Sequence, residues 1–194
     1  MATNVEFESL TTKSRFVSLV QRNNSGVGEL TGADSPMISV DVNHQRNHDG
    51  RAWAAWRLYP ASAKLAAGTS CDIVLAAAAG VRPHLTVDAL LMGDAELYIY
   101  EGPTTTGGTS FTPVNRNRNY ATSSDVAMVI NPTVNTTGTL IDAQFLPGGV
   151  GKKSGGGSVQ SLELVLKPLT NYLFRMTNVN GTDHAGHLAL EWYE

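Results

Sequence analysis

The sequence predicts an all-β fold, an antiparallel β-sandwich or barrel, on three grounds. Short apolar runs alternate with a period of two. Turns rich in Gly, Pro, Thr and Asn separate those runs at high density, and no stretch sustains a helical period. At 194 residues the chain is read as a single domain. The area scaling lets a chain of this size hide roughly 70% of its unfolded surface, so the core needs neither disulfides nor metals.

Residues 1–35 mix one apolar run, Arg15 to Val20, with polar and glycine-bearing stretches, and are read as an extended N-terminal arm. The sandwich is expected over 36–194. Met37 to Val42 alternates as a strand, and NHQRNHDG then reads as a polar connection ending in the turn-forming pair Asp49-Gly50. Strands are predicted at Arg51–Tyr59, Ser70–Ala77, His84–Met92 and Asp94–Glu101, the last two pairing across Gly93-Asp94. The stretch 102–124 has no apolar period and reads as a long excursion. Further strands are expected at Val126–Ile130 and Thr137–Phe145. LPGGVGKKSGGGS, residues 146–158, is a glycine-dominated linker with Lys152 and Lys153 at its centre.

The pattern is clearest from residue 159 onward. Leu162, Leu164 and Leu166 share one face of VQSLELVLK. Tyr172, Phe174 and Met176 oppose Leu173, Arg175 and Thr177. Leu188, Leu190 and Trp192 alternate with His187, Ala189, Glu191 and Tyr193. A strand this apolar is expected inside a sheet rather than at its edge.

Charge and cysteine content narrow the function classes. Charged residues are only 16% of the chain and the formal net charge is -3. Lysine and arginine form no basic stripe, so direct nucleic-acid binding is not expected. No apolar run approaches membrane-spanning length and no signal peptide is read, so no membrane partner is expected and synthesis is placed in a cytoplasm. Low charge with abundant neutral polar residues suits a subunit of an assembly. The single cysteine, Cys71, lies in an apolar run and is read as a buried small hydrophobe.

No catalytic motif emerges. No serine sits in a Gly-x-Ser-x-Gly turn, and GGVGKKSGGGS lacks the Gly-Lys-Ser/Thr arrangement of a phosphate loop. Glu96 with Glu101 and Glu163 with Glu191 read as solvated strand residues. His44 and His48 have the spacing of a metal pair on a helix, but their flanks predict a loop. Further ligands would have to come from Asp49, or from His184 and His187, so no metal site and no cofactor are expected. Trp53 and Trp192 fall on apolar faces, whereas Trp56 is out of phase with Trp53 and reads as a surface or interface aromatic.

Several segments together resemble a known family. PMISVDVNHQRNHDGRAW, YEGPTTTGGTSFTPVNRNRNYATSS, LPGGVGKKSGGGS, VLKPLTNYLFRMTN and the closing LEWYE are similar, in that order, to capsid decoration (cement) proteins of tailed bacteriophages. The similarity extends over most of 36–194 and not to the arm. It implies a jelly-roll-like β-sandwich and a non-enzymatic virion protein on the outer capsid surface. Its implied partners are the major capsid protein and itself, as a dimer or trimer. Contacts would then fall on excursions: Asn115, Arg116, Asn117, Arg118 and Asn119, whose amides and guanidiniums suit backbone and carboxylate recognition; Arg15, Phe16 and Val17, able to add a strand to a neighbour; and Lys152 and Lys153. Trp56, the out-of-phase strand aromatic, is a further candidate contact. The competing expectation is a carbohydrate-binding virion module of a fibre or spike.

Overall fold

The structure, a computed structural model, describes residues 42–148 and 163–194, with the backbone alone of Val42, Asn43, Arg22–Asn23 and Gly26–Val27. Two units are distinguished, Met1–Val40 and Asp41–Glu194. In the first, the two-residue strands β1 (Arg22–Asn23) and β2 (Gly26–Val27) pair antiparallel. The predicted run at 15–20, with Arg15, Phe16 and Val17, lies outside the described residues, as do Lys152 and Lys153.

The second unit opens with helix α1 (Val42–His48). The strands that follow are β3 (Ala52–Tyr59), β4 (Ser70–Ala77), β5 (His84–Leu91), β6 (Ala95–Glu101), β7 (Thr104–Thr106), β8 (Thr109–Phe111) and β9 (Val114–Asn115). They continue with β10 (Val126–Ile130), β11 (Thr133–Thr136), β12 (Thr139–Leu146), β13 (Leu164–Val165), β14 (Asn171–Asn178) and β15 (Gly186–Tyr193). A six-stranded sheet runs β12-β6-β14-β4-β10-β8 and a five-stranded sheet runs β13-β5-β15-β3-β9, while β7 and β11 form a separate ribbon. Every pairing is antiparallel. The fold is an all-β antiparallel sandwich, as the period predicts.

The order within the sheets is nested. β15 lies between β3 and β5, and β14 lies between β4 and β6. The expectation of an interior position for the apolar strand at 187–194 therefore holds. Its inward residues Leu188, Leu190 and Trp192 meet Ile73, Leu75, Phe174 and Met176 of the facing sheet in one core cluster. Burying each large apolar side chain contributes about 1.5–3 kcal/mol. The outer face of the six-stranded sheet is also partly closed. Leu173 and Val74 sit opposite each other there and are buried.

Three expectations need correction. First, β5 and β6 do not pair; they belong to different sheets. The chain crosses between sheets at 92–94, where Met92 N–H donates to Ala185 O at 2.9 Å and Asn180 Nδ2 to Asp94 O at 2.6 Å. Gly93 packs here against the His184 and Asn180 side chains, which a Cβ would have to displace. Second, the excursion at 102–124 holds three strands of two or three residues, too short to leave a period.

Third, Val42 opens a helix instead of ending a strand, and NHQRNH is helical instead of a loop. Gly50, at φ +67°, closes it: Arg51 N–H donates to Arg46 O at 2.9 Å and Gly50 N–H to Asn47 O at 3.1 Å. That pair of bonds is the Schellman termination. Asp49-Gly50 thus ends a helix, a role that the dipeptide fills as readily as a turn. Arg46 and His48 in the last turn also suit the helix dipole.

Candidate functional site

The outer face of the five-stranded sheet carries Trp56, and Arg116 reaches it through its ion pair with Glu191. Register places Trp56, Ala189 and Asp88 in one cross-strand row, and Leu58, His187 and Leu90 in the next. Glu191 with Thr86, then Tyr193 with His84, extend the same face toward α1. Trp56 is 44% exposed and Leu58 56%, while the Trp56 ring sets its edge to Phe111 with centroids 5.9 Å apart.

The Asn-Arg alternation at 115–119 is a folding instruction as well as a surface. Asn115 is buried, not displayed. Its Nδ2 donates to Gly50 O at 2.8 Å and Thr122 O at 3.4 Å, and its Oδ1 accepts the Asn117 N–H at 2.9 Å. Asn117 repeats the device, its Oδ1 accepting Asn119 N–H at 3.1 Å while its Nδ2 donates to His48 O at 3.0 Å. Each amide thereby fixes the residue two positions on, the Asx-turn pattern. The expected surface role of Asn115 is corrected accordingly: it holds the turn from within, whereas Arg116, Arg118 and Asn119 remain exposed.

Two tryptophans floor this excursion. Trp53 Nε1 donates to Thr122 O at 3.3 Å, and Trp192 Nε1 to Ser124 Oγ at 3.2 Å and Glu194 Oε1 at 3.1 Å. Buried indole donors are usually satisfied, and here their acceptors tie the loop to the sandwich. Gly50 closes the other side against the Tyr120 ring, leaving no room for a Cβ.

Between this turn, α1 and the sheet lies a groove of about 220 Å³ bordered by Asn47, His84, Thr86, Arg116, Glu191 and Tyr193. Arg116 forms an ion pair with Glu191, the two side chains being 39% and 49% exposed. Such a pair adds about 0–1 kcal/mol to stability, so its effect here is to orient the guanidinium along the sheet face. His84 stacks on Tyr193 at 4.7 Å with 12° between planes, and both engage Glu163 Oε1, at 3.1 Å from His84 Nδ1 and 2.5 Å from Tyr193 Oη. The Arg46 guanidinium stands 6.0 Å over the Tyr193 ring.

Chemically this face mixes aromatic, apolar and guanidinium groups with Asp88, His187 and Glu191 in the same rows, and tryptophan and arginine are residue types frequent at protein contacts. Among the described residues, no hydroxyl or thiol is hydrogen-bonded to His84. No group of three or more His, Cys, Asp and Glu side chains is placed to hold a metal, and no helix is long and apolar enough to cross a membrane. Burial pushes the Cys71 thiol up to about 11, which leaves it a poor nucleophile.

Sequence reasoning missed Asn47, Arg46 and the His84–Tyr193–Glu163 cluster. Alternation had set Tyr193 outward, but its neighbour on β5 is a matter of register. The chain matches no protein-family model, no curated protein and no solved structure.

Proposed function

We propose that this chain is a non-enzymatic structural protein that binds the outer surface of an assembled phage capsid and stabilises it. The observation that carries the reading is the common face on which Trp56 and Arg116 stand, backed by a sandwich and a turn pinned from beneath. Trp and Arg are the residue types that dominate protein-contact energetics. The resemblance of residues 36–194 to decoration proteins supplies the kind of partner. A ligand that binds the assembled lattice better than free subunits stabilises the shell by linkage. An oligomer touching several shell subunits gains affinity because its later contacts are intramolecular.

The test is stoichiometry in purified particles. Near-equal abundance with the major capsid protein, and heads that rupture more easily without this chain, support the reading. A handful of copies per virion with intact heads overturns it. The half-exposed Trp56 also suits a sugar ring, which favours the carbohydrate-binding alternative. That alternative predicts low copy number and lost adsorption in the same experiment.

A further inference from the structure

β12 (Thr139–Leu146) is the end strand of the six-stranded sheet, paired with β6 on one side. Among the described residues no strand pairs with its other side. Natural sheet edges are guarded by lysines, prolines, bulges or shortness. β12 is eight residues long and holds no lysine, arginine or proline. Its guards are one carboxylate, Asp142, and one bulge between Leu140 and Asp142. We infer that this edge is the contact surface for a second copy of the chain, the two β12 strands pairing antiparallel about a two-fold axis at Ala143.

Register selects the partner. Ile141, Ala143 and Phe145 are exposed, whereas Asp142, Gln144 and Leu146 turn toward the core side, opposite Ile99, Leu97 and Ala95. Opposed residues of an antiparallel pair share a face, so a strand that pairs with its own copy must centre on a residue. Centred on Asp142, it sets two carboxylates directly opposite, a repulsive pair. Centred on Gln144, it sets Phe145 against Ala143 and Asp142 against Leu146. Centred on Ala143, it sets Ile141 against Phe145 twice and Asp142 against Gln144 twice. This register alone matches apolar with apolar and carboxylate with amide, with a methyl group on the axis. The bulge ends the regular match at Ile141.

The backbone agrees with that centre. Ala143 N–H donates to Asp142 Oδ1 at 2.8 Å, which places it on the open side of the strand, and the carbonyl of a strand residue points the same way as its N–H. In the paired form each Ala143 N–H donates to the other copy's Ala143 carbonyl. The Asp142 carboxylate gives up that donor. It keeps the Gln144 amide of its own chain, 2.9 Å from Oδ2, and gains the Gln144 amide facing it. The inference does not rest on the capsid reading, since a monomer can bind a shell through the Trp56 face, which lies on the other sheet.

The test is sedimentation equilibrium of the full chain over a range of concentrations, with Ala143→Lys, Ala143→Glu and, on the other sheet, Leu58→Lys as a control. The parent and the control should show the same monomer–dimer equilibrium. Ala143→Lys and Ala143→Glu each set like charges on the axis and should dimerise about fivefold more weakly. An equimolar mixture of the two sets opposite charges there and should regain the parent's affinity. Ala143 is exposed, so thermal melts of the Ala143 variants at monomeric dilution should coincide with the parent's, which separates lost pairing from lost folding. A parent that stays monomeric, a trimer, or a dimer indifferent to both charges overturns the assignment. So does a mixture that associates no more tightly than either variant alone.

Discussion

Asp72 and Arg175 stand directly opposite each other on β4 and β14, and the guanidinium grips both carboxylate oxygens, Nε to Oδ1 at 2.7 Å and Nη2 to Oδ2 at 2.6 Å. The pair lies at the middle of the six-stranded sheet, with the Asp72 side chain 11% exposed and that of Arg175 25%. Breaking such a pair strands the partner's charge. Arg175→Met is expected to cost roughly 2–4 kcal/mol in urea denaturation, below the value for a fully dry pair because solvent reaches part of the guanidinium. Asp72→Asn combined with Arg175→Met should cost less than the sum of the singles. Strict additivity would show that the two side chains act independently.

Acid should loosen one identifiable contact. The Lys167 ammonium at 2.7 Å, then the Tyr172 hydroxyl at 2.8 Å, hold the Glu101 carboxyl below its ordinary range. A carboxylate whose folded value is depressed stabilises the fold above its unfolded value, and that contribution is lost as pH falls through the folded one. Glu101→Gln should therefore flatten the dependence of Tm on pH below about 4. It should change little at neutral pH, where the largely solvated pair is screened. An unaltered acid limb would remove Glu101 from the account.

Cys71 should report global unfolding. Its thiol is fully buried and pushed up to about 11. Labelling by a disulfide reagent at neutral pH should be slow and should accelerate with urea in step with loss of structure. Rapid labelling of the folded protein would mean that the sandwich opens locally at β4.

The Asn-Arg turn separates folding from binding. Asn115→Ala leaves the Gly50 and Thr122 carbonyls without its amide and should cost roughly 2–3 kcal/mol. Arg116→Ala with Arg118→Ala should leave Tm within a few degrees, since only an exposed ion pair and one long hydrogen bond are lost. The arginine double variant should nevertheless sediment less with purified heads. Unchanged co-sedimentation would take the turn off the contact surface.

Core charge should not be tolerated at all. Leu190→Asp or Trp192→Asp would place an unpaired carboxylate among buried residues. No soluble folded protein is expected, as judged by circular dichroism and gel filtration.

How far the sequence could be read depended on the range of the signal. Side-chain alternation is local, so Phe174, Met176, Leu188 and Leu190 could be assigned to the core, and Trp56 to the surface, without knowing any neighbour. Pairing is not local. The break between β5 and β6 comes with bonds from Met92 to Ala185 and from Asn180 to Asp94, partners about ninety positions away. Asp49-Gly50 satisfied two grammars, hairpin turn and helix end, and only the bonds back to Arg46 and Asn47 separate them. The candidate face was legible in type but not in assembly. Arg116 and Trp56 could be named singly, whereas the groove that joins Arg116, Glu191, His84 and Tyr193 exists only once β15 lies beside β5. Asn115 misled because buried and displayed amides look alike in sequence.

The nesting of β14 and β15 has a consequence for biosynthesis. While residues 171–193 are still within the ribosome, β3 and β5 lack the strand between them, and so do β4 and β6. A nascent chain in that state has four strand margins with unanswered backbone groups, the sticky condition that chaperones exist to shield. Nothing smaller than the complete arrangement can close either gap. A chain cut short before Asn171 would lack the central strand of both sheets and is expected not to fold.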